Sequence, residues 1–149
     1  MGAAAGEGKG TTINIPLPAG CGNYEYELVF EQIIVPAAKR FKPQLILVSA
    51  GYDLQLGDGL ALMQVTVSGL AQMVKVIKEL ASELCNGRLV LCLEGGYNLT
   101  ALVASVKATF DVLLGNDTID DPLGQSLRRL ATPSISQLIK AIQERHGLP

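Results

Sequence analysis

The sequence is poor in several residue types, and each shortage excludes a class of protein. Its 149 residues contain no tryptophan, 5% aromatic residues and a single histidine. A small aromatic-rich β-barrel is therefore disfavoured, whereas 16 glycines and 48% hydrophobic residues suit an α/β protein with aliphatic strands and helices. Charged residues make up only 17% of the chain, which argues against a disordered segment and against a coiled coil.

The chain also lacks an excess of positive charge and long apolar runs. Lysine and arginine total 12 against 14 aspartate and glutamate residues, so no broad basic face is available and direct nucleic-acid binding is not expected. The longest apolar stretches, at 45–48 and 89–93, are much shorter than the roughly 20 residues that span a bilayer. We therefore expect neither a nucleic acid nor a membrane as partner.

Cysteine is scarce and is not spaced for metal binding. Cys21, Cys85 and Cys92 are odd in number and form no C-x-x-C pair, which favours reduced, mostly buried thiols over disulfides or a cysteine zinc site. The first ten residues are rich in Gly and Ala and do not resemble a secretory signal. The expected location is the nucleus or the cytoplasm, with a plastid left open and secretion excluded.

Hydrophobic periodicity predicts strands that alternate with helices in a βαβα pattern. Pro36 is expected to kink the first helix, which Asn23 would cap, and Asn98 is expected to cap a later helix. The predicted elements are a short strand at 12–15, a helix from Tyr24, a strand at 45–48, a helix at 70–84, a strand at 88–93, and helices at 99–114 and 134–146.

Polar residues follow both buried strands directly. Gly51, Tyr52 and Asp53 end the first of these strands, and Gly95, Gly96 and Tyr97 end the second. Open parallel sheets bind ligands beyond the carboxyl ends of their strands, so both groups are expected to face one crevice. An aspartate there supplies an oxygen ligand or a base, and a tyrosine supplies a hydroxyl donor. From spacing alone, a ligand site and two tight structural turns both remain open.

The Gly-rich leader does not form a nucleotide-binding motif. A phosphate-binding loop needs Gly-Lys followed at once by Ser or Thr, whereas Lys9 is followed by Gly10. A G-x-G-x-x-G motif fails because its third glycine would fall on Thr11. A linker is the better interpretation.

Three further polar residues receive structural interpretations. Asp58 is expected to form a turn, and Glu94 is expected to anchor the neighbouring glycine loop by hydrogen bonding. His146 lies in the last turn of the final predicted helix, where a histidine interacts favourably with the helix dipole.

Three motifs in order resemble the histone deacetylase family. They are Asn-Ile-Pro-Leu-Pro-Ala-Gly at 14–20, Leu-Val-Ser-Ala-Gly-Tyr-Asp at 47–53 with Gly-Asp at 57–58, and Leu-Glu-Gly-Gly-Tyr-Asn-Leu at 93–99. Their form is closer to class II and bacterial acetylpolyamine amidohydrolases than to class I. The resemblance implies part of an arginase/deacetylase-like three-layer α/β fold with a central parallel sheet. It divides the chain into a leader (1–10), the C-terminal part of a deacetylase domain (11–115) and a final loop and helix (116–149).

The resemblance also implies a chemistry and a site. Enzymes of this family use Zn²⁺ and a zinc-activated water to hydrolyse the amide of acetyl-lysine in histones or other proteins, or of acetylated polyamines. Asp53 matches a zinc ligand, and Tyr97 matches the phenol that donates a hydrogen bond to the acetyl oxygen as it becomes an oxyanion. Gly95 and Gly96 match positions that leave room for the acyl-lysine tunnel, and Leu60 matches a residue at the tunnel mouth.

The family also uses an Asp-x-His pair and two adjacent histidines, and this sequence contains neither. A catalytic zinc normally has three protein ligands, so we expect a truncated domain that is inactive alone. Missing strands would leave an unpaired sheet edge and uncovered apolar faces, which predicts poor stability or self-association. The alternatives are a non-catalytic fragment that pairs with a full-length deacetylase or another partner, and complementation by a chain that carries the missing half.

Overall fold

The computed structural model describes residues 10–116, 118–124 and 131–149, so most of the expected leader lies outside the described residues. Within these ranges, no helix has both the length and the apolar character needed to cross a membrane. The elements are α1 (Asn23–Val29), a π-helical turn (Phe30–Ile34), α2 (Val35–Phe41), β1 (Ile46–Gly51), α3 (Val67–Cys85), β2 (Leu89–Gly95), α4 (Leu99–Leu114) and α5 (Ser136–His146).

The two apolar runs form a parallel pair of strands, as predicted. β1 and β2 are adjacent and are connected through α3, and their register runs from Ile46 opposite Leu89 to Ala50 opposite Leu93. The next pair is Gly51 opposite Gly95, so Glu94 is an extra residue in β2. This β-bulge brings the two strand-end glycines opposite each other.

The helix after β1 begins and ends where side chains satisfy its terminal groups. The Thr66 hydroxyl accepts a hydrogen bond from the Gly69 amide (3.1 Å), which caps the N-terminus of α3. The helix stops at Asn86, whose left-handed conformation (φ 52°) precedes Gly87. It therefore begins three residues earlier and ends one residue later than the predicted helix at 70–84.

The helix after β2 has the bounds that the sequence predicted. The Asn98 side chain accepts from the Ala101 amide (3.1 Å), and Gly115 (φ 86°) ends α4. Small and β-branched side chains let α3 and α4 pack closely together. The buried residues of this contact are Val67, Ala71, Val74, Ala104, Ala108 and Val112.

The first helix differs from the prediction. Asn23 is the first residue of α1 and does not cap it, because its side chain bonds Thr66 at the start of α3. Where the sequence predicted a kink at Pro36, the structure has a π-helical turn that ends at Ile34 and a second helix that begins at Val35. Pro36 has no amide hydrogen, so the carbonyl of Gln32 cannot receive the usual helical bond, and Gln143 donates to it instead (3.4 Å).

The strand predicted at 12–15 is wrong. Residues 12–18 are not in a strand. The apolar side chains Ile13, Ile15 and Leu17 instead pack on a core formed by the first helices and α5, which begins two residues later than predicted. The buried members of that core are Cys21, Val29, Ile33, Ile135, Ile139 and Ile142.

All three thiols are free. Cys21 and Cys85 are buried, as the composition suggested, whereas Cys92 is exposed on β2. Burial raises the pKa of the Cys21 thiol, and the charge of Glu25 adds to this effect. A buried thiol with a raised pKa behaves as a small hydrophobic side chain.

One face of the sheet is uncovered in the described part of the chain, as expected from missing strands. Leu47 and Val90 are opposite each other in the ladder, and their side chains are 68% and 46% exposed. Ser49 and Cys92, the next pair on the same face, are also exposed. Four more exposed apolar residues lie along α4, namely Leu99, Val103, Phe110 and Leu114.

Candidate functional site

The carboxyl ends of both strands meet at one point, as the parallel topology predicted. The Tyr52 amide donates to the Gly95 carbonyl (2.9 Å), which extends the ladder past the bulge. Asp53 follows Tyr52 directly, and Tyr97 lies two residues after Gly95. The loops that carry both side chains therefore begin at one joined pair of strand ends.

Asp53 and Tyr97 converge on Gly95. A Cβ atom built on Gly95 would lie 3.7 Å from the Tyr97 phenol oxygen and 3.7 Å from Asp53 Cγ, so those two atoms are no further apart than twice that distance. A Cβ on Gly51 would lie 3.0 Å from Asp53 Oδ1. The Asp53 carboxylate thus lies closer to Gly51 than a side chain there would readily allow, and it is at ordinary contact distance from a Cβ on Gly95. The Tyr97 side chain is 65% exposed.

Gly96 is required by its backbone conformation and its surroundings. Its φ of +129° disfavours any residue with a side chain, and a Cβ would lie 2.9 Å from Leu102 Cδ1 and 3.1 Å from Tyr52 Cβ. Tyr52 is buried, and its hydroxyl shares a hydrogen bond with that of Thr109 on α4 (2.9 Å). The glycine loop before Tyr97 is consequently packed closely against α4 and the end of β1.

Asp58 has a role that the sequence did not indicate. It forms the predicted turn, with its amide donating to the Gln55 carbonyl (2.9 Å). Its carboxylate oxygen Oδ2 also accepts from the amides of Tyr97 (2.5 Å) and Asn98 (2.8 Å). The Asn98 amide lowers the pKa of Asp58, against a smaller opposing effect of burial, and the amides of Tyr97 and Leu60 lower it further. The only sequence signal was a Gly-Asp pair in a loop at the same edge of the sheet.

Leu60, Glu94 and His146, which the sequence also singled out, have separate surroundings. Leu60 follows Asp58 in the same loop, and its side chain is 65% exposed. Glu94 accepts from the Ser49 hydroxyl on β1 (3.3 Å), so the hydrogen bond found for it goes to the neighbouring strand and not to the glycine loop. His146 ends α5 as predicted, and its carbonyl accepts from Arg40 (2.6 Å).

The described residues do not complete a zinc site. Asp53, close to Gly51 and Gly95, offers an oxygen that suits one ligand of a metal. Within residues 10–116, 118–124 and 131–149, however, no three His, Cys, Asp or Glu side chains are grouped to hold a metal ion. A catalytic zinc needs three protein ligands, so the residues present do not by themselves fit the ion.

Tyr26 on α1 is a partly buried tyrosine that interacts electrostatically with Asp53. Its partial burial raises the pKa of its phenol, and electrostatic interactions with Cys21 and Asp53 raise it further.

Comparison with known proteins identifies the family. The model of the histone deacetylase domain matches residues 2–113. Histone deacetylase 14, chloroplastic, of Arabidopsis thaliana is 54% identical over 114 residues, which are 76% of this chain and 27% of that protein. Histone deacetylase 10, chloroplastic, of Oryza sativa subsp. japonica is 45% identical over 147 residues, which are 96% of this chain and 33% of that protein.

Solved structures agree with this assignment. The HDA15 HD domain superposes with a TM-score of 0.77 at 31% identity, covering 97% of this chain and 38% of that one. The structure of the histone deacetylase Clr3 superposes with a TM-score of 0.79 at 31% identity, covering 97% of this chain and 23% of that one. The chain thus spans about a third or less of the curated relatives named above, and its parallel α/β arrangement is part of a deacetylase fold. From the motifs, the strand-end geometry and these matches, the chain belongs to the histone deacetylase family and represents part of a deacetylase domain.

Proposed function

We propose that this chain carries one portion of the active site of a zinc-dependent deacetylase that hydrolyses the acetyl amide of an acetylated lysine. The observation that carries the proposal is the convergence of the Asp53 carboxylate and the Tyr97 phenol on Gly95. A carboxylate and a hydroxyl donor at this separation can act on neighbouring atoms of one substrate group. The substrate is an acetylated lysine of a histone or another protein, or an acetylated polyamine.

The two side chains have different roles in the proposal. The Tyr97 hydroxyl donates a hydrogen bond to the acetyl oxygen as negative charge develops on it, and one such donor is worth about 10²- to 10³-fold in kcat. Asp53 would be one oxygen ligand of a zinc ion whose other ligands come from outside this chain, and such an ion would supply Lewis-acid chemistry at the acetyl carbonyl and at water. Gly95 and Gly96 leave the acyl-lysine its path to these groups, and Leu60 lies at the rim of that path.

The remaining zinc ligands and the general base would come from another part of a deacetylase domain, so the 149-residue chain is inactive alone in this proposal. The test uses an acetyl-lysine peptide with added Zn²⁺. The chain by itself is compared with a chimera in which it replaces the matching 147 residues of the rice relative. We expect turnover by the chimera and none by the chain.

Matched substitutions in the chimera test the two assigned residues. We expect Tyr97→Phe to lower kcat by about 10²-fold, and Asp53→Ala to lower both activity and zinc content. Tyr24→Phe removes a hydroxyl from a side chain that is equally exposed (65%), and Asp120→Ala removes an exposed carboxylate elsewhere. Activity that survives Tyr97→Phe unchanged would contradict the assigned role of Tyr97. Turnover by the chain alone that both site substitutions abolish would contradict the proposed inactivity.

The second candidate is a non-catalytic fragment that binds a full-length deacetylase or another protein. The uncovered sheet face around Leu47 and Val90 favours it, because exposed apolar patches of this kind mark interaction surfaces.

Two relatives are described as chloroplastic, which supports a plastid location beside the nucleus or cytoplasm.

A further inference from the structure

We propose that Asp58 is a positioning residue for Tyr97, because its carboxylate holds the backbone of the tyrosine loop against the loop that follows Asp53. This inference rests on the proposed function of Tyr97. Asp58 is 39 residues away from Tyr97 in sequence, and one oxygen, Oδ2, accepts from two consecutive amides, those of Tyr97 and Asn98. Two amide donors that converge on one carboxylate oxygen fix the loop at the residue that bears the phenol.

The loop that bears Asp58 is itself held by hydrogen bonds. The Asp58 amide donates to the Gln55 carbonyl (2.9 Å), and the Gln55 side chain accepts from the Gly57 amide (2.5 Å). Asn98 donates from its side chain to the Gly57 carbonyl (2.9 Å), so the two loops are joined in both directions. The clamp formed by Gln55, Gly57, Asp58, Tyr97 and Asn98 is therefore a closed set of hydrogen bonds.

The side chain of Tyr97 needs such support. It is 65% exposed, so packing fixes it less than it would fix a buried side chain, and its position depends on the backbone beneath it. Asn98 follows Tyr97 directly and caps α4 by accepting a hydrogen bond from the Ala101 amide. The tyrosine loop therefore leads straight into a 16-residue helix. Asp58 thus ties the phenol to a rigid helix and to the Asp53 loop together. A misplacement of about 1 Å in a catalytic group can reduce a rate by about 10²-fold.

The first test measures the clamp directly in the 149-residue chain. In NMR spectra, we expect the amide protons of Tyr97 and Asn98 to shift and to lose hydrogen-exchange protection in Asp58→Ala. Asp58→Asn keeps a side-chain acceptor and should retain part of the protection. Asp120→Ala serves as the control and should leave both amides unchanged. Unaltered amides in Asp58→Ala would overturn the clamp, whatever the function of Tyr97.

The second test separates positioning from general stability by a double-mutant cycle in the chimera. We expect Asp58→Ala to lower kcat by about 10- to 10²-fold with a smaller change in KM, and Asp58→Asn to restore part of it. In a Tyr97→Phe background, Asp58→Ala should have little further effect, because the group that it positions is gone. Equal losses in both backgrounds would overturn the positioning role. An unaffected Tyr97→Phe enzyme would instead reject the proposed function, while the NMR result on the clamp would stand.

Discussion

At the scale of single residues, the Asp58 carboxylate makes the tyrosine loop sensitive to acid. Hydrogen bonds from backbone amides, that of Asn98 first, hold the pKa of Asp58 below its ordinary value of 3.8. A carboxyl group whose pKa is lower in the folded state stabilises that state above its unfolded pKa, and the stabilisation is lost as pH falls through the folded value.

We therefore expect the Tyr97 and Asn98 amide resonances to be constant near neutral pH and to move together as the pH falls below the ordinary aspartate value of 3.8 and Asp58 becomes protonated. An NMR pH titration measures this. Asp58→Asn has no such proton to bind, so its titration should be flat for these two amides. An equal acid response in Asp58→Asn would assign the effect to another group.

The positions of Asp53 and Tyr97 could be predicted from the sequence, whereas the clamp could not. A parallel sheet brings successive strand ends to one edge, so two strand-end motifs locate both side chains without further information. Asp58 looked like an ordinary turn residue because its turn is local, but its carboxylate bonds residues that are 39 and 40 positions away. Such bonds depend on how two loops pack, which no local pattern records.

At the scale of secondary-structure elements, the side chain of Asn23 fastens α1 to the start of α3. Its amide oxygen accepts from the Thr66 amide (2.9 Å), and its amide nitrogen donates to the Thr66 hydroxyl (2.9 Å). That hydroxyl in turn caps α3 at Gly69. A Cβ on Gly69 would overlap with the Asn23 side chain, so glycine is needed where a helix would otherwise favour alanine.

We expect Gly69→Ala to destabilise the chain by about 1–3 kcal/mol through overpacking, although the same change in an open helix gains about 0.5–1 kcal/mol. Asn23→Ala removes both hydrogen bonds to Thr66 and should cost about 1 kcal/mol. The double variant should lose less stability than the two single variants lose together, because truncation of Asn23 makes room for the new methyl group. Urea unfolding measures all three, and a stabilised Gly69→Ala would contradict the steric argument.

The same contact explains why the first helix was predicted less well than α3 and α4. The bounds and the Asn98 cap of α4 could be predicted by local rules, and for α3 regular apolar spacing predicted all but its first three residues and its last. Asn23 satisfies the amide of a residue 43 positions away, and the π-helical turn before Pro36 depends on a donor from α5. Both features require tertiary partners.

At the scale of the whole molecule, large apolar side chains are exposed on both the sheet and α4. Leu47 and Val90 on the sheet are exposed, as are Leu99 and Phe110 on α4. In the described residues the sheet has only two strands, so each of them has a free edge. Free edges beside exposed apolar side chains promote pairing with further chains.

We expect the purified chain to self-associate, and Leu47→Lys with Val90→Lys to reduce its mass towards the 15.8 kDa of one chain. Light scattering after size exclusion measures the mass. Phe41→Lys on α2 is the matched control, because Phe41 and Leu47 are equally exposed (68%). A single 15.8 kDa species with one cooperative unfolding transition would contradict the prediction and would weaken the interaction-fragment candidate with it.

The extra residue in β2 shifts by one position which of its residues lies opposite the end of β1. Side chains alternate between the two faces of a sheet, so a regular ladder would set Glu94 opposite Gly51. The bulge advances the chain by one position and sets a glycine there instead. Loss of the bulge at unchanged strand length would thus set a negatively charged side chain opposite Gly51, two residues before Asp53. The bulge, more than the composition of the strand, is the constraint on this part of the chain.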